Sequence, residues 1–246
     1  MKKLVLLVTT ALIAMSATGC IISSGDDSGD DVGEEATITA KWSIKNLASN
    51  NNNLPCPPGI NTAALYSQAL DNNNEPVGSP QIDLFTCSDF QGAAAIEPDV
   101  YQSWVEFTTG SGGSVYAKSL SAIVDVVQSD KTFETTILED GGYFELSWDL
   151  VDSITRAPLT CAQAGSNGVS SLATEVNNGS NSKDDVFPCE DHYGVTGGLK
   201  MGTYTVDVEA IDSTEEPLGD NPTLLNKIIV DKNGVTDLGN LQIPVD

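Results

Sequence analysis

From Thr37 to Ile44 the chain alternates strictly: Ile38, Ala40, Trp42 and Ile44 fall on one face, with Thr37, Thr39, Lys41 and Ser43 on the other. A period of two with a single apolar face predicts a half-buried β-strand. The pattern returns with Phe144, Leu146, Trp148 and Leu150 on one side and Tyr143, Glu145, Ser147 and Asp149 opposite. It recurs in Tyr204, Val206, Val208 and Ala210, and more loosely in Tyr101, Val105 and Phe107 with Ser103 between them. Residues 62–70 have some helix propensity, but their counterpart Val169–Val176 is rich in Ser and Thr, which predicts a strand in both places. Apolar runs at Leu120–Val127 and Leu224–Val230 predict further strands. After the second run, Asn233-Gly234 predicts a hairpin whose two central residues take positive φ. No long stretch carries helical periodicity.

These strands form two matching series, about 105 residues apart. Trp42 aligns with Trp148, Cys56 with Cys161, and Phe85-Thr86-Cys87 with Phe187-Pro188-Cys189. Asp89 and Gly92 align with Asp191 and Gly194, and Tyr101 with Tyr204. The spacing drifts only in Asn-, Gly- and Ser-rich loops, where insertions belong. Four cysteines permit three pairings. The repeat selects Cys56–Cys87 and Cys161–Cys189, one disulfide per half. Each closes a loop of about 30 residues, worth about 3 kcal/mol in chain-entropy terms.

Seven or so short strands per half predict an all-β chain of two tandem antiparallel β-sandwich domains. The run Gly202-Thr203-Tyr204-Thr205-Val206-Asp207-Val208-Glu209-Ala210 resembles a strand of transthyretin-like and carboxypeptidase-regulatory-like sandwich modules of surface proteins. The resemblance implies a fold that displays loops, and no particular chemistry. The paired Trp and Cys positions are also similar to those of immunoglobulin-like domains, although Trp42 and Trp148 precede both cysteines of their half.

Met1–Cys20 opens with two lysines, continues through an apolar run from Leu4 to Met15 and ends in Ala17-Thr18-Gly19-Cys20. That is the order of a secretory signal, and the run is shorter than the about 20 residues of a spanning helix. Small residues directly before a cysteine make it resemble a bacterial lipoprotein signal. The resemblance implies cleavage before Cys20, acylation of Cys20 and attachment to a membrane in the cell envelope, with Ile21 favouring the outer membrane. It also accounts for the odd count of five cysteines, since an acylated Cys20 leaves four to pair. Residues 21–36 hold six acids among Ser and Gly and predict a disordered, self-repelling tether. The expected organisation is a signal at 1–19, lipidated Cys20 and tether at 20–36, and sandwich domains at 37–139 and 140–246.

Charge narrows the partners. The 246 residues carry 11 basic and 35 acidic side chains, a net charge of −24. Without a basic patch to neutralise phosphates, nucleic acid is excluded as a partner.

Candidate chemistry is sparse. His192, the one histidine, sits in Cys189-Glu190-Asp191-His192, and Phe90 occupies its place in the first half, so a catalytic role there would belong to one half alone. No Gly-x-Ser-x-Gly elbow occurs, and Gly110-Ser111-Gly112-Gly113 lacks the Lys-Ser/Thr of a phosphate loop. Asp212, Glu215, Glu216 and Asp220 cluster in one loop and are the candidate calcium ligands, without EF-hand spacing. Trp104, outward by alternation, and Tyr116 are the candidate aromatic platform for a protein or glycan partner. The expectation is a lipid-anchored envelope protein acting as a non-enzymatic binding or structural module, with no cofactor beyond calcium. The alternatives are a calcium- or carbohydrate-dependent adhesin and a hydrolase using a carboxylate pair.

Overall fold

The computed structural model describes residues 35–110, 113–179, 181–219 and 222–246. The expected signal, Cys20 and nearly all of the expected tether lie outside these residues, as does Asp220.

Eight strands make the first half: β1 (Ala36–Lys45), β2 (Thr62–Ala69), β3 (Gln81–Thr86), β4 (Gln91–Ile96), β5 (Val100–Thr108), β6 (Val115–Lys118), β7 (Ala122–Asp125) and β8 (Lys131–Leu138). One sheet runs β4-β1-β8 and the other β3-β2-β5-β6, with β7 also on β5. Ile38, Ala40, Trp42 and Ile44 point from β1 into the core, where they meet Ala63 and Leu65 of β2 and Tyr101, Val105 and Phe107 of β5. Thr62–Ala69 are therefore strand, as their counterpart required. β1 starts on the last residue of the expected tether, because Ala36 is buried and paired with Ile96.

The second half repeats the plan with β9 (Gly141–Asp152), β10 (Pro158–Leu159), β11 (Gly168–Glu175), β12 (Ser182–Pro188), β13 (Tyr193–Val195), β14 (Leu199–Lys200), β15 (Gly202–Ile211), β16 (Thr223–Ile229) and β17 (Gly234–Val245). One sheet orders β10-β9-β13, with β14 and β17 also on β9, and faces the sheet β12-β11-β15-β16. Phe144, Leu146, Trp148 and Leu150 fill its core with Tyr204, Val206, Val208 and Ala210. A single helical turn, α1 (Cys161–Ala164), is opened by a Thr160–Gln163 capping box. Among the described residues no helix is long and apolar enough to cross a membrane.

Both expected disulfides are formed, Cys56–Cys87 and Cys161–Cys189. Most strand pairs are antiparallel, but in each half the first and last strands lie side by side and parallel, β1 with β8 and β9 with β17. Alternation fixes which face of a strand is buried and carries no information on the direction of its neighbour.

Three expectations fail at the junction of the halves. The turn at 231–234 has its positive φ at Lys232 and Asn233, one position before the expected Asn233-Gly234. It also joins strands of different sheets, β16 and β17, so it is not a hairpin. The shift places Asn233 where its amide can tie the halves together. Its Oδ1 accepts from the Leu138 N–H and its Nδ2 donates to the Lys118 carbonyl, both at 2.8 Å. Tyr143, expected on the polar face of its strand, is buried near the same junction, and burial pushes its hydroxyl up to about 12. Asp140 helps from the linking segment, accepting from the backbone of Leu47 at 2.7 Å and Ala48 at 2.8 Å.

Candidate functional site

The landmarks that define the repeat form one device, built twice. The Trp42 indole donates to the Cys87 carbonyl at 2.9 Å, and the Trp148 indole to the Cys189 carbonyl at 3.2 Å. The second cysteine of each disulfide, Cys87 or Cys189, opens a short 3₁₀ turn, closed by Phe90 in one half and His192 in the other. Both closing residues are left-handed, at φ 55° and 52°, a conformation that non-glycine residues seldom adopt. It aims their carbonyls at the backbone N–H of Trp42 (3.1 Å) and Trp148 (3.2 Å). Gly92 and Gly194 follow because a Cβ there would strike the rings of Phe85 and Phe187, at 2.3 Å and 2.6 Å. The Tyr101 and Tyr204 hydroxyls each donate to a carbonyl four residues upstream, those of Glu97 (2.9 Å) and Lys200 (3.0 Å).

His192 thus occupies a position whose backbone does the work, which is why Phe90 can stand in its place. Its Nδ1 lies 3.2 Å from the Trp148 carbonyl. Among the described residues, Cys161, Glu190 and His192 are the one trio of metal-ligating types with ligand atoms within 4.8 Å of one another. The Cys161 sulfur is committed to a disulfide, however, and a metal needs the thiolate. Two exposed ligands are left, too few for a site.

Among the described residues, the calcium candidates Asp212, Glu215 and Glu216 do not form a group of three with ligand atoms all within 4.8 Å of one another. Asp212 Oδ1 accepts from the Thr214 N–H and Oγ1, both at 2.7 Å, and from the Glu216 N–H at 3.1 Å. These bonds, the Thr214 hydroxyl foremost, hold its carboxyl below the usual range. Asp71 and Asp152 cap turns in the same way and are lowered for the same reason, the N–H of Glu75 and of Thr155 leading. Oδ1 of Asp212 is engaged by its own turn, and Glu215 is the left-handed residue of that turn.

Trp104 lies on the outer face of β5, as alternation required, and its flanks are occupied. Its ring stacks on Tyr66 of β2 with centroids 5.0 Å apart and planes 7° apart. From β6, on the other side of β5, Lys118 sets its Nζ 4.3 Å from the ring centroid. The indole N–H donates to Glu106 Oε1 at 3.0 Å. The outer face therefore carries a ladder of Tyr66, Trp104 and Lys118 rather than an open ring for a sugar to stack on.

Tyr116, the second aromatic candidate, lines a groove of about 880 Å³ between the halves. One wall is β6 and the chain after it, through Ser121; the other is Glu145, Tyr193 and Val195 with the Lys232–Val235 turn. Lys232 holds its Nζ 5.3 Å over the Tyr116 ring. The Tyr193 hydroxyl donates to Glu145 Oε2 at 3.0 Å, and burial, with that carboxylate, pushes it up to about 12. Sequence reasoning missed this groove. Tyr66 was legible as the outward residue of β2, but nothing in the pattern brings Tyr193 and Lys232 to β6 before the junction is known.

No protein-family model matches the sequence, and no curated protein matches it significantly. Among solved structures, the chain is similar to a minor pilin of Streptococcus agalactiae at 13% identity and TM-score 0.29, covering 86% of this chain and 96% of that one. A fimbrial anchor protein of Porphyromonas gingivalis matches at 11% identity and TM-score 0.28, over 78% and 83% of the two chains. A shaft pilin of Lactobacillus rhamnosus matches at 9% identity and TM-score 0.25, over 87% and 98%. Similarity at this level assigns the chain to no family.

Proposed function

We propose that this chain is a non-enzymatic binding or structural module of the bacterial cell envelope, held to a membrane by lipid on Cys20. The observation that carries this reading is the pair of disulfides, Cys56–Cys87 and Cys161–Cys189, at matching places in the two halves. Disulfides persist in oxidising compartments such as the periplasm and the cell surface. That compartment is where the lipoprotein-like Met1–Cys20 would deliver the chain. The one histidine, which invites an enzymatic reading, has a structural duty: His192 closes the turn beside Trp148. The bonds of Asn233 and Asp140 across the junction suit a module that holds two sandwiches in a fixed relation. One acyl chain anchors only marginally, so stable attachment calls for more than one.

Metabolic labelling with an alkynyl palmitate tests the anchor. The wild-type chain takes up label and sediments with membranes, whereas Cys20→Ser takes up none and becomes soluble. An unlabelled wild-type chain overturns the anchor.

A further inference from the structure

We propose that the groove between the halves receives an extended peptide of alternating apolar and acidic residues, added as a strand to the free edge of β6. It goes beyond the envelope-module reading, which survives if it fails.

Three observations meet in this groove. First, β6 stands at the end of its sheet and, among the described residues, pairs only with β5, so its other edge faces the groove. On that side Lys118 has its carbonyl taken by Asn233, which caps the edge at one end. An unpaired strand edge offers N–H and C=O groups at the spacing a second strand needs. Second, the lining reverses the charge of the chain. Its charged members are Lys118, Lys232 and Glu145, in a protein with 35 acidic and 11 basic side chains. The ion pairs among the described residues are Lys41–Glu134 and Lys183–Asp185, so neither groove lysine is neutralised by one. Glu145 is engaged by the Tyr193 hydroxyl on the opposite wall, and Glu139 and Asp231, which act on Tyr116, are not part of the lining. Third, the walls expose apolar surface: Val115 is 54% accessible, Tyr193 51% and Val235 43%.

Together these features match one occupant. Successive side chains of a strand point to opposite faces, so one set rests on Val115, Tyr193 and Val235 while the acidic set meets the two ammonium groups. An anionic polysaccharide would satisfy the lysines but has no use for the β6 edge.

Fluorescence anisotropy on the folded protein separates these cases. The probe is a fluorescein-labelled octapeptide of alternating valine and aspartate, compared with the same peptide N-methylated at every residue and with polygalacturonate as competitor. The expected result is saturable binding that N-methylation weakens by about tenfold or more, that Lys118→Gln with Lys232→Gln weakens likewise, and that polygalacturonate does not displace. Absence of binding, or binding indifferent to N-methylation, overturns the proposal. Displacement by polygalacturonate moves the groove to a glycan role and overturns it too. The N-methylated probe acts on the wild-type protein, so that comparison stands even if the double variant folds poorly.

Discussion

The side-chain amide of Asn233 donates to the carbonyl of Lys118 at 2.8 Å, across a chain separation of 115 residues, and so joins halves whose cores are separate. The same residue is 3% exposed and left-handed, at φ 63°, and its own N–H donates to the Gly141 carbonyl at 2.9 Å. A backbone turn and a side-chain bridge therefore depend on one residue.

Asn233→Ala leaves the Leu138 N–H and Lys118 C=O unpaired and puts a Cβ residue without local hydrogen bonding into a left-handed site. A buried orphan group costs about 1–3 kcal/mol, so a loss of about 2–4 kcal/mol is expected in urea unfolding. Asn233→Gly, which relieves the φ, recovers only part of it. The halves should also melt less cooperatively in calorimetry.

Gly92→Ala and Gly194→Ala should each destabilise by about 1–3 kcal/mol, the range for forcing extra volume into a packed core. Pairing either with its aromatic neighbour, as Phe85→Leu or Phe187→Leu, should give less than the sum of the single losses. Denaturant midpoints for the two cycles check this, and simple additivity would mean that glycine and ring do not compete for space.

Much of this was legible in the sequence, and for one reason. Strand alternation and the repeat report on burial, which is set locally by the side chain and its place on a face. Trp42, Trp148, Tyr204 and the cysteine pairs were readable on that basis. Tyr143, the turn at Lys232 and Asn233, and the Tyr193–Lys232 side of the groove depend on how one sandwich sits against the other, which no single strand encodes. The capping role of Asp212 was not legible, because an acidic loop and an Asp-capped turn look alike until the hydrogen bonds are seen.

Acid should weaken the fold through its turns. Asp71, Asp152 and Asp212 titrate below their unfolded value of about 3.9. Their contribution is present above that value and is lost as pH falls through the folded pKa. Asp71 is exposed and Asp152 and Asp212 are only partly buried at the surface, so each contribution is small. Asp152→Asn, which can still cap but cannot titrate, should flatten the fall in melting temperature below about pH 4.

Alkali acts with the opposite sign. Tyr143, Tyr193 and Tyr204 are raised to about 12, burial being the main cause. Their contribution is intact below the unfolded value of about 10 and disappears as pH rises from about 10 towards 12. Tyr143→Phe should leave stability at neutral pH nearly unchanged and shift alkaline unfolding to higher pH, followed by circular dichroism.

The most direct test of the envelope assignment is thiol trapping during cell fractionation. Cells are quenched with acid, alkylated before and after reduction, and the chain is recovered from the membrane, periplasmic and cytosolic fractions. The account predicts a membrane-associated chain in which Cys56, Cys87, Cys161 and Cys189 react only after reduction. A chain recovered from the cytosol with those four cysteines free would contradict it.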